Sequence, residues 1–311
     1  MKIKTEYLVL VALIAGLSLF LWFRNSDRVL YELPDTGGLK KEQVARIEVR
    51  APEQGPLVLE KKGNDWFLPS GAPAKPADAD RMVEAVTGLA LTTLVSERDD
   101  LVRYDLSADK AVTVTASAPD GKSLRTIAVG KTAPSHNHTF VRIDDDPRIY
   151  HARGRFPGIF DKTVDALIDR RVLDVDRASI SRITVEQVDG SRTLVKSAAE
   201  DTLWITDEGE IVDPNAVSGF LDAILRLECS TYQEAAGPEN LGEPVLTVTL
   251  MDEEAHTLSV FPPKAGEGGD YPARSSRTDL SFLLSADNVE NLIKTVSGLA
   301  PGAEDTSDAK E

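Results

Sequence analysis

Apolar and polar residues alternate with a period of two along several short segments of this chain. VARIEV at 44–49, AVTVTA at 111–116 and ISRITV at 180–185 show the alternation, which is typical of strands that bury one face. Gly63-Asn64 and Asp120-Gly121 separate neighbouring segments of this kind, and such pairs favour tight turns. The pattern therefore predicts hairpins and a mostly antiparallel sheet.

Other segments carry apolar residues every three or four positions, which is the spacing of a helix with one buried side. Two of these helices are expected to begin at aspartates, Asp78 or Asp80 in one and Asp213, followed by a proline, in the other. The helices are predicted over 77–91, 156–170, 214–227 and 286–299.

The same series of segments occurs twice in the same order. VARIEV and ISRITV lie 136 residues apart, and Trp66 and Trp204 lie 138 apart. Phe140 of TFVR matches Tyr271 of YPAR at a distance of 131. A constant order with so small a drift in spacing indicates tandem copies of one domain.

We therefore expect an α+β fold made of two mostly antiparallel copies, each with two helices. The copies are predicted at 39–175 and 176–300. The polar tail at 301–311 lacks core-forming residues and is expected to be disordered. Each copy is long enough to bury a core of its own.

Residues 7–23 read YLVLVALIAGLSLFLWF, with neither charge nor proline. Seventeen helical residues span about 25 Å, close to the hydrocarbon core of a bilayer. No A-x-A-like site and no cysteine follows, so an uncleaved anchor within residues 1–28 is favoured over a cleaved signal peptide or a core helix. The residues expected to contact lipid are Tyr7, Leu8, Leu13, Leu17, Phe20, Trp22 and Phe23.

The charges that flank this segment give a modest bias towards a cytoplasmic amino terminus. We therefore expect a single-pass protein of the cytoplasmic (inner) membrane with the bulk of its chain in the periplasm. The lipid bilayer is its first expected partner.

The overall composition narrows the classes of function. The chain has 311 residues, of which 41% are hydrophobic and 28% charged, and this balance is typical of a folded protein. Its net charge of −16 argues against a nucleic-acid partner, because phosphate binding needs basic patches. Its single cysteine, Cys229, excludes a disulfide framework and a cysteine-built metal site. We expect that residue to be small, buried and unreactive.

The run LVRYDLSADKAVTVTASAPDGKSLRTIAVGK at 101–131, the TFVRIDDDPRIYHA that follows and DRRVLD at 169–174 resemble domain-of-unknown-function family 4340. The segment around Trp66 is similar too, and the resemblance covers roughly residues 40–300. The family usually shows Y-G-L-x-x-P before the first hairpin, where this chain has Tyr104-Asp105-Leu106 and then Ser-Ala-Asp. No catalytic residues can be carried over from the family, because none are established for it, and we expect no cofactor. It implies an exported, membrane-tethered auxiliary protein of an ABC transporter of the gliding-motility type.

The candidate catalytic and ligand-binding motifs of the chain are incomplete. GKS at 121–123 and GKT at 130–132 lack the earlier glycine of a phosphate-binding loop, since Ala116 and Arg125 stand there. Glu208, Glu210 and Asp213 lie in a turn before a helix, where acidic residues are common for structural reasons. No G-x-S-x-G nucleophile motif occurs.

His136, His138 and His151 form the one cluster of histidines. The first two share a face if they lie on a strand, and the third lies on the next predicted strand. Three convergent imidazoles can bind zinc, so they are weak candidates for a metal site. The alternative is a polar loop that leads into a hairpin.

Two tryptophans, a pair of arginines and one long connecting segment can each be interpreted structurally. Trp66 and Trp204 are expected to anchor the two cores, and stacking on carbohydrate is the alternative. Arg170-Arg171 is expected to complement a helix dipole. The segment 262–276 is a long connection, which is either functional or disordered.

Three functions remain. The first is a non-enzymatic, membrane-anchored accessory protein that docks on membrane subunits of an ABC-type transporter. The second is a module that binds an envelope polymer or a small ligand in the cleft between the copies. The third is a metal-assisted hydrolase built around the histidines.

Overall fold

The computed structural model describes residues 12–20, 31–52, 54–98, 100–197, 203–233, 241–263 and 269–300. Within them the chain is an α+β protein with two antiparallel sheets, as the alternation of apolar residues predicted. We call the first sheet with its helices the first repeat, and the second sheet with its helices the second repeat.

The first sheet has eight strands in the order β3-β2-β1-β5-β6-β7-β8-β4. Consecutive strands pair as hairpins, except that β5 lies beside β1 and β4 closes the far edge beside β8. Its strands are β1 Arg46–Arg50, β2 Leu57–Lys62, β3 Asp65–Phe67, β4 Leu91–Ser96, β5 Val112–Ser117, β6 Ser123–Thr132, β7 His138–Ile143 and β8 Ile149–Arg153.

The second sheet has nine strands in the order β12-β11-β10-β9-β14-β15-β16-β17-β13. Apart from the added edge strand β12, the connectivity is that of the first sheet. Its strands are β9 Arg182–Gln187, β10 Gly190–Lys196, β11 Trp204–Thr206, β12 Ile211–Val212, β13 Thr231–Gln233, β14 Leu246–Met251, β15 Ala255–Val260, β16 Tyr271–Ser275 and β17 Thr278–Leu284. The predicted connection 262–276 therefore ends in a strand.

Strand register repeats along with strand order. Ile47 lies between Leu59 and Ala116 in the first sheet, and Ile183 lies between Leu194 and Leu250 in the second. All six side chains are buried. The apolar positions that revealed the internal repeat are therefore the inward-facing residues of two equivalent sheets.

One predicted equivalence is wrong by one residue. Val129 pairs with Val141 in the first sheet, and Val260 pairs with Ala273 in the second. Phe140 therefore corresponds to Pro272 rather than to Tyr271. Because side chains alternate between faces, a slip of one residue exchanges the buried face for the outer one.

Each repeat packs one long helix against its sheet directly after the third or fourth strand. These helices are α1 Pro76–Thr87 and α4 Pro214–Leu225. Asp213 caps α4 as predicted, because its carboxylate accepts from the N–H of Asn215 at 2.9 Å. The predicted cap of α1 is wrong: the helix begins earlier, after Lys75, and no side chain caps it.

The predicted helix over 156–170 is also wrong as one element. It consists of two turns, α2 Pro157–Phe160 and α3 Val164–Leu167, whereas its counterpart in the second repeat is continuous, α5 Ala286–Ser297. Thr163 begins the second turn by accepting from the N–H of Ala166. Ile168 is already extended and bridges to Ala74. From there the chain continues in an extended conformation towards the second repeat.

The two repeats have separate hydrophobic cores. The first core includes Ile47, Trp66 and Met82, and the second includes Ile183, Trp204 and Phe220. A small third cluster lies on the other face of the first sheet, and its buried members are Leu106, Ala133, Phe140 and Ile149.

Residues 12–20 are helical and precede the first repeat in the chain. Leu13, Leu17 and Phe20 expose 57%, 54% and 57% of their surface. The other predicted lipid-contacting residues, Tyr7, Leu8, Trp22 and Phe23, lie outside the described residues. Among the residues that the structure describes, no helix is both long enough and apolar enough to cross a membrane.

Candidate functional site

A charged junction joins the end of the first repeat to the second. Asp169 lies in the extended segment after α3 and is 3% exposed. Its carboxylate accepts from the guanidinium groups of Arg171 and Arg277, each at 2.7 Å. Arg277 also donates to the carbonyl of Arg171 at 2.8 Å. Arg277 stands between β16 and β17, so one carboxylate fixes the connecting segment to the second sheet.

Two opposing effects act on the pKa of Asp169. Burial raises the pKa of this carboxyl, while hydrogen bonds from Arg171 and Arg277 and the charge of Arg277 lower it. The arginines prevail, so the pKa lies below its usual value. Asp169 is therefore ionised at neutral pH and holds both cations.

Apolar contacts continue the junction on the side of the first repeat. Tyr232 and Leu280 belong to the second repeat, and both pack against the core of the first. The hydroxyl of Thr278 donates to the carbonyl of Gly71 at 3.2 Å. The Tyr232 hydroxyl donates to the carbonyl of Asp169 at 2.9 Å. These contacts join the two repeats directly.

Two cavities flank the junction. One has a volume of about 430 Å³, and its polar lining includes Lys75, Arg171 and Glu228. The other has about 300 Å³ and is lined by Thr231 and Tyr232 among others. Arg170 lines both cavities. It donates to the carbonyl of Ser230 and to the carboxylate of Asp165.

The predicted role of Arg170-Arg171 at a helix end is wrong. The helix ends at Leu167. Arg170 instead donates to the carbonyl of Ser230 and the carbonyl of Arg171 accepts from Arg277, so both arginines contact the second repeat. Sequence reasoning also missed Asp169 and Arg277. The sequence did contain a signal, the run Asp-Arg-Arg at 169–171 on the boundary between the two copies. Three successive charged residues are more than the exposed end of a helix requires.

Cys229 lies beside the junction and is 3% exposed. Burial raises the pKa of its thiol, which disfavours the thiolate, the reactive form of cysteine. Burial also raises the pKa of the neighbouring Tyr232. The prediction of a small buried cysteine is confirmed.

The structure brings together two of the three clustered histidines. His138 on β7 and His151 on β8 have ring centroids 5.6 Å apart. His136 lies in the preceding turn, exposed and with a positive φ of 59°. Among the described residues, no three His, Cys, Asp or Glu side chains are grouped so that they could hold a metal ion.

The two equivalent tryptophans are core residues, as predicted. Trp66 and Trp204 are each 6% exposed and belong to the first and second core. Trp204 also borders a groove of about 530 Å³ with Arg177 and Lys196. Its small exposed area leaves little ring surface for stacking on a sugar.

The glycine-lysine pairs lie in a hairpin turn and on a strand, and neither opens a helix. At Gly130 an added Cβ would lie 2.2 Å from the carbonyl oxygen of Tyr104. Asp105 adopts the left-handed conformation at φ 56°, ψ 36°, at the place where the family pattern has glycine. The turn is therefore retained here without that glycine, and Gly130 gives it room.

The acidic residues before α4 have separate positions. Glu208 and Glu210 are exposed, and Asp213 serves as the helix cap. Their arrangement is that of a surface turn and a helix start.

The chain is thus a protein of two fused α+β repeats that are joined by a cluster of charged side chains around the buried Asp169. The family model described as Domain of unknown function (DUF4340) matches residues 66–244, more than half of the chain. The chain belongs to this family, as the resemblance of its first repeat predicted. The matched span includes Asp169 and Arg171 but ends before Arg277. No curated protein and no solved structure matches the chain.

Proposed function

We propose that this protein is a non-enzymatic accessory component of an ABC-type transporter, tethered to the cytoplasmic membrane by its N-terminal helix. Its two repeats stand in the periplasm and dock on the membrane subunits of the transporter. The expectation of such a partner comes from the family resemblance.

The proposal of a membrane tether rests on the exposed apolar side chains of the N-terminal helix. Five large apolar residues in 12–20 expose more than half of their surface, namely Leu13, Ile14, Leu17, Leu19 and Phe20. A water-soluble protein rarely exposes a continuous apolar surface of this kind. The hydrocarbon core of a bilayer covers such a surface without exposing it to water, and the surrounding sequence 7–23 carries no charged residue.

The junction supports docking as a rigid unit. Asp169, Arg171 and Arg277 hold the repeats together, so a partner meets one preorganised surface and pays little ordering entropy on binding. Tethering adds to this, because it raises the effective concentration of the repeats near other membrane proteins.

Co-purification from native membranes tests the proposal. The full-length protein carries a C-terminal tag, is extracted in a mild detergent and is analysed by mass spectrometry. We expect membrane subunits of an ABC-type transporter in near-stoichiometric amounts. The matched control replaces residues 1–30 with a cleavable signal peptide, and recovery of the subunits should fall. Recovery of the intact, anchored protein alone would contradict the proposal.

The cavities at the junction favour a second candidate, a binding module for an envelope polymer or a small ligand. The larger cavity is lined by Lys75 and Arg171 and also by Asp78 and Glu228, so it presents charges of both signs. Equilibrium binding to purified wall fragments tests this function. Binding that Glu228→Ala weakens supports it, and equal binding by wild type and variant contradicts it.

A further inference from the structure

Two imidazoles lie side by side on the outer face of the first sheet. His138 is paired with Arg153 and His151 with Phe140, so the two histidines occupy diagonal positions on one face. Their ring centroids are 5.6 Å apart and their planes are inclined by 35°. Two imidazoles that bind one zinc ion at about 2 Å place their centroids about 5 Å apart. The observed spacing is close to that value.

The ring nitrogens are also in suitable positions. Nδ1 of His138 lies 2.9 Å from Oγ of Ser135, and a hydrogen bond at one nitrogen fixes the other for metal binding. Nε2 of His151 is buried and has no hydrogen-bond partner among the described residues. A buried polar atom without a partner is costly, and coordination of a cation removes that cost.

Uncharged residues flank His151 on both neighbouring strands. The ring of Phe140 lies 4.8 Å away and Thr93 pairs with His151 from β4. Arg153 lies opposite His138 on this face and is exposed, and its positive charge weakens the binding of a metal cation.

We propose that His138 and His151 form a two-histidine site for a divalent transition-metal cation such as Zn²⁺, with water completing the coordination. The cation joins β7 to β8 beside the small cluster on the outer face. The second repeat lacks the site, because the same register positions hold Asp270 and Leu283. The proposal is independent of the transporter function.

Calorimetric titration tests the site. The full-length protein in detergent is stripped with EDTA and titrated with Zn²⁺ at neutral pH. We expect one ion per chain and an affinity weakened about tenfold or more by His138→Ala and by His151→Leu. The second substitution introduces the residue that the second repeat carries there.

The other two histidines provide matched controls. His256 binds Asp252 in the second repeat at 3.0 Å, and His136 lies two residues before His138. His256→Ala and His136→Ala should leave the affinity within about threefold of wild type. The proposal is overturned if millimolar Zn²⁺ does not bind, if binding survives both site variants, or if either control abolishes it.

A measurement on the unaltered protein guards against misfolded variants. In NMR spectra the imidazole Hε1 signals of the four histidines are observed while Ni²⁺ is added. The signals of His138 and His151 should broaden first and together. Earlier broadening of His136 or His256 would overturn the proposal.

Discussion

The outer faces of the two sheets are covered in different ways, although their inner faces share one strand order and one register. In the first repeat the backbone of Tyr104 crosses directly above Gly130, and Leu106 and Phe140 fill the space beside it. The register position of Gly130 holds Phe261 in the second repeat, and that side chain is 7% exposed. A close backbone crossing in one copy is thus replaced by an aromatic ring in the other.

The segments that enter the repeats differ in a similar way. One arginine fixes each of them. Arg125 donates to the carbonyls of Val86 and Thr36 in the first repeat, whereas Arg277 meets the carboxylate of Asp169 in the second. The comparison shows that the inward-facing apolar residues give both repeats the same strand order and register. The contacts of the entering segment and the residues that cover the outer face differ between the repeats.

The largest expected effect comes from breaking the junction. Asp169→Ala leaves Arg171 and Arg277 without their carboxylate, and breaking a buried ion pair costs about 3–5 kcal/mol. We expect the urea midpoint to fall accordingly and the two repeats to unfold in separate transitions. Asp174→Ala is the matched control, because that carboxylate binds Arg171 but is 42% exposed, and it should cost under about 1 kcal/mol. Equal effects of the two variants would contradict the assigned role of Asp169.

The next effect tests the backbone crossing. Gly130→Ala places a methyl group against the Tyr104 carbonyl and the Leu106 side chain, and such overpacking costs about 1–3 kcal/mol. Urea unfolding measures the loss. Gly219→Ala in α4 meets nothing within 4 Å and should stabilise the protein by about 0.5–1 kcal/mol. A neutral Gly130→Ala would show that the crossing segment is free to move away.

A third prediction concerns the turn between β7 and β8, where the first repeat carries a carboxylate. Hydrogen bonds from Arg148 and Tyr150 outweigh burial and lower the pKa of Asp146 to about 2. Because this value lies below that of the unfolded chain, the carboxylate stabilises the fold above about pH 4 and the stabilisation is lost as the pH falls towards 2. Asp146→Asn should cost about 2 kcal/mol at neutral pH.

The same variant should lose less stability than wild type between pH 5 and pH 2, which urea midpoints measured across that range will show. Tyr150→Phe removes one hydrogen bond to Asp146 and should cost about 1 kcal/mol. A Tyr150 phenol that titrates in absorbance near 10 would contradict this geometry, because burial, followed by Asp146, raises its pKa to about 12.

The smallest expected loss of stability concerns the N-terminal caps of the two long helices, α1 and α4. Asp213→Ala removes the cap of α4 and should cost about 1 kcal/mol. Lys75→Ala at the start of α1 removes no cap, because no side chain caps that helix, and should cost under about 0.5 kcal/mol. Urea midpoints of both variants check the difference. A larger loss from Lys75→Ala would show that its contact with the carbonyl of Ala166 matters more than capping.

Many of the strands and turns could be predicted from the sequence, whereas the contacts of the charged junction could not. Alternation identified β1, β5 and β9, and Asp120-Gly121 marked the turn between β5 and β6. These signals are local, since each depends on residues close in sequence. The failures at the junction depend on distant partners. Ile168 left the predicted helix because it bridges to Ala74, and Arg277 meets Asp169 across 108 positions of sequence.

The sequence by itself determined the α+β class, the duplication, the buried tryptophans and the family, because each is written in patterns of neighbouring residues that bury one face. Only the tertiary structure decided that Asp169 holds the repeats together, that His138 and His151 meet without His136, and that Gly130 lies under a crossing chain. The physical reason is that register, burial and the direction of a side chain arise when strands distant in sequence pair. Composition and spacing carry no record of those pairings.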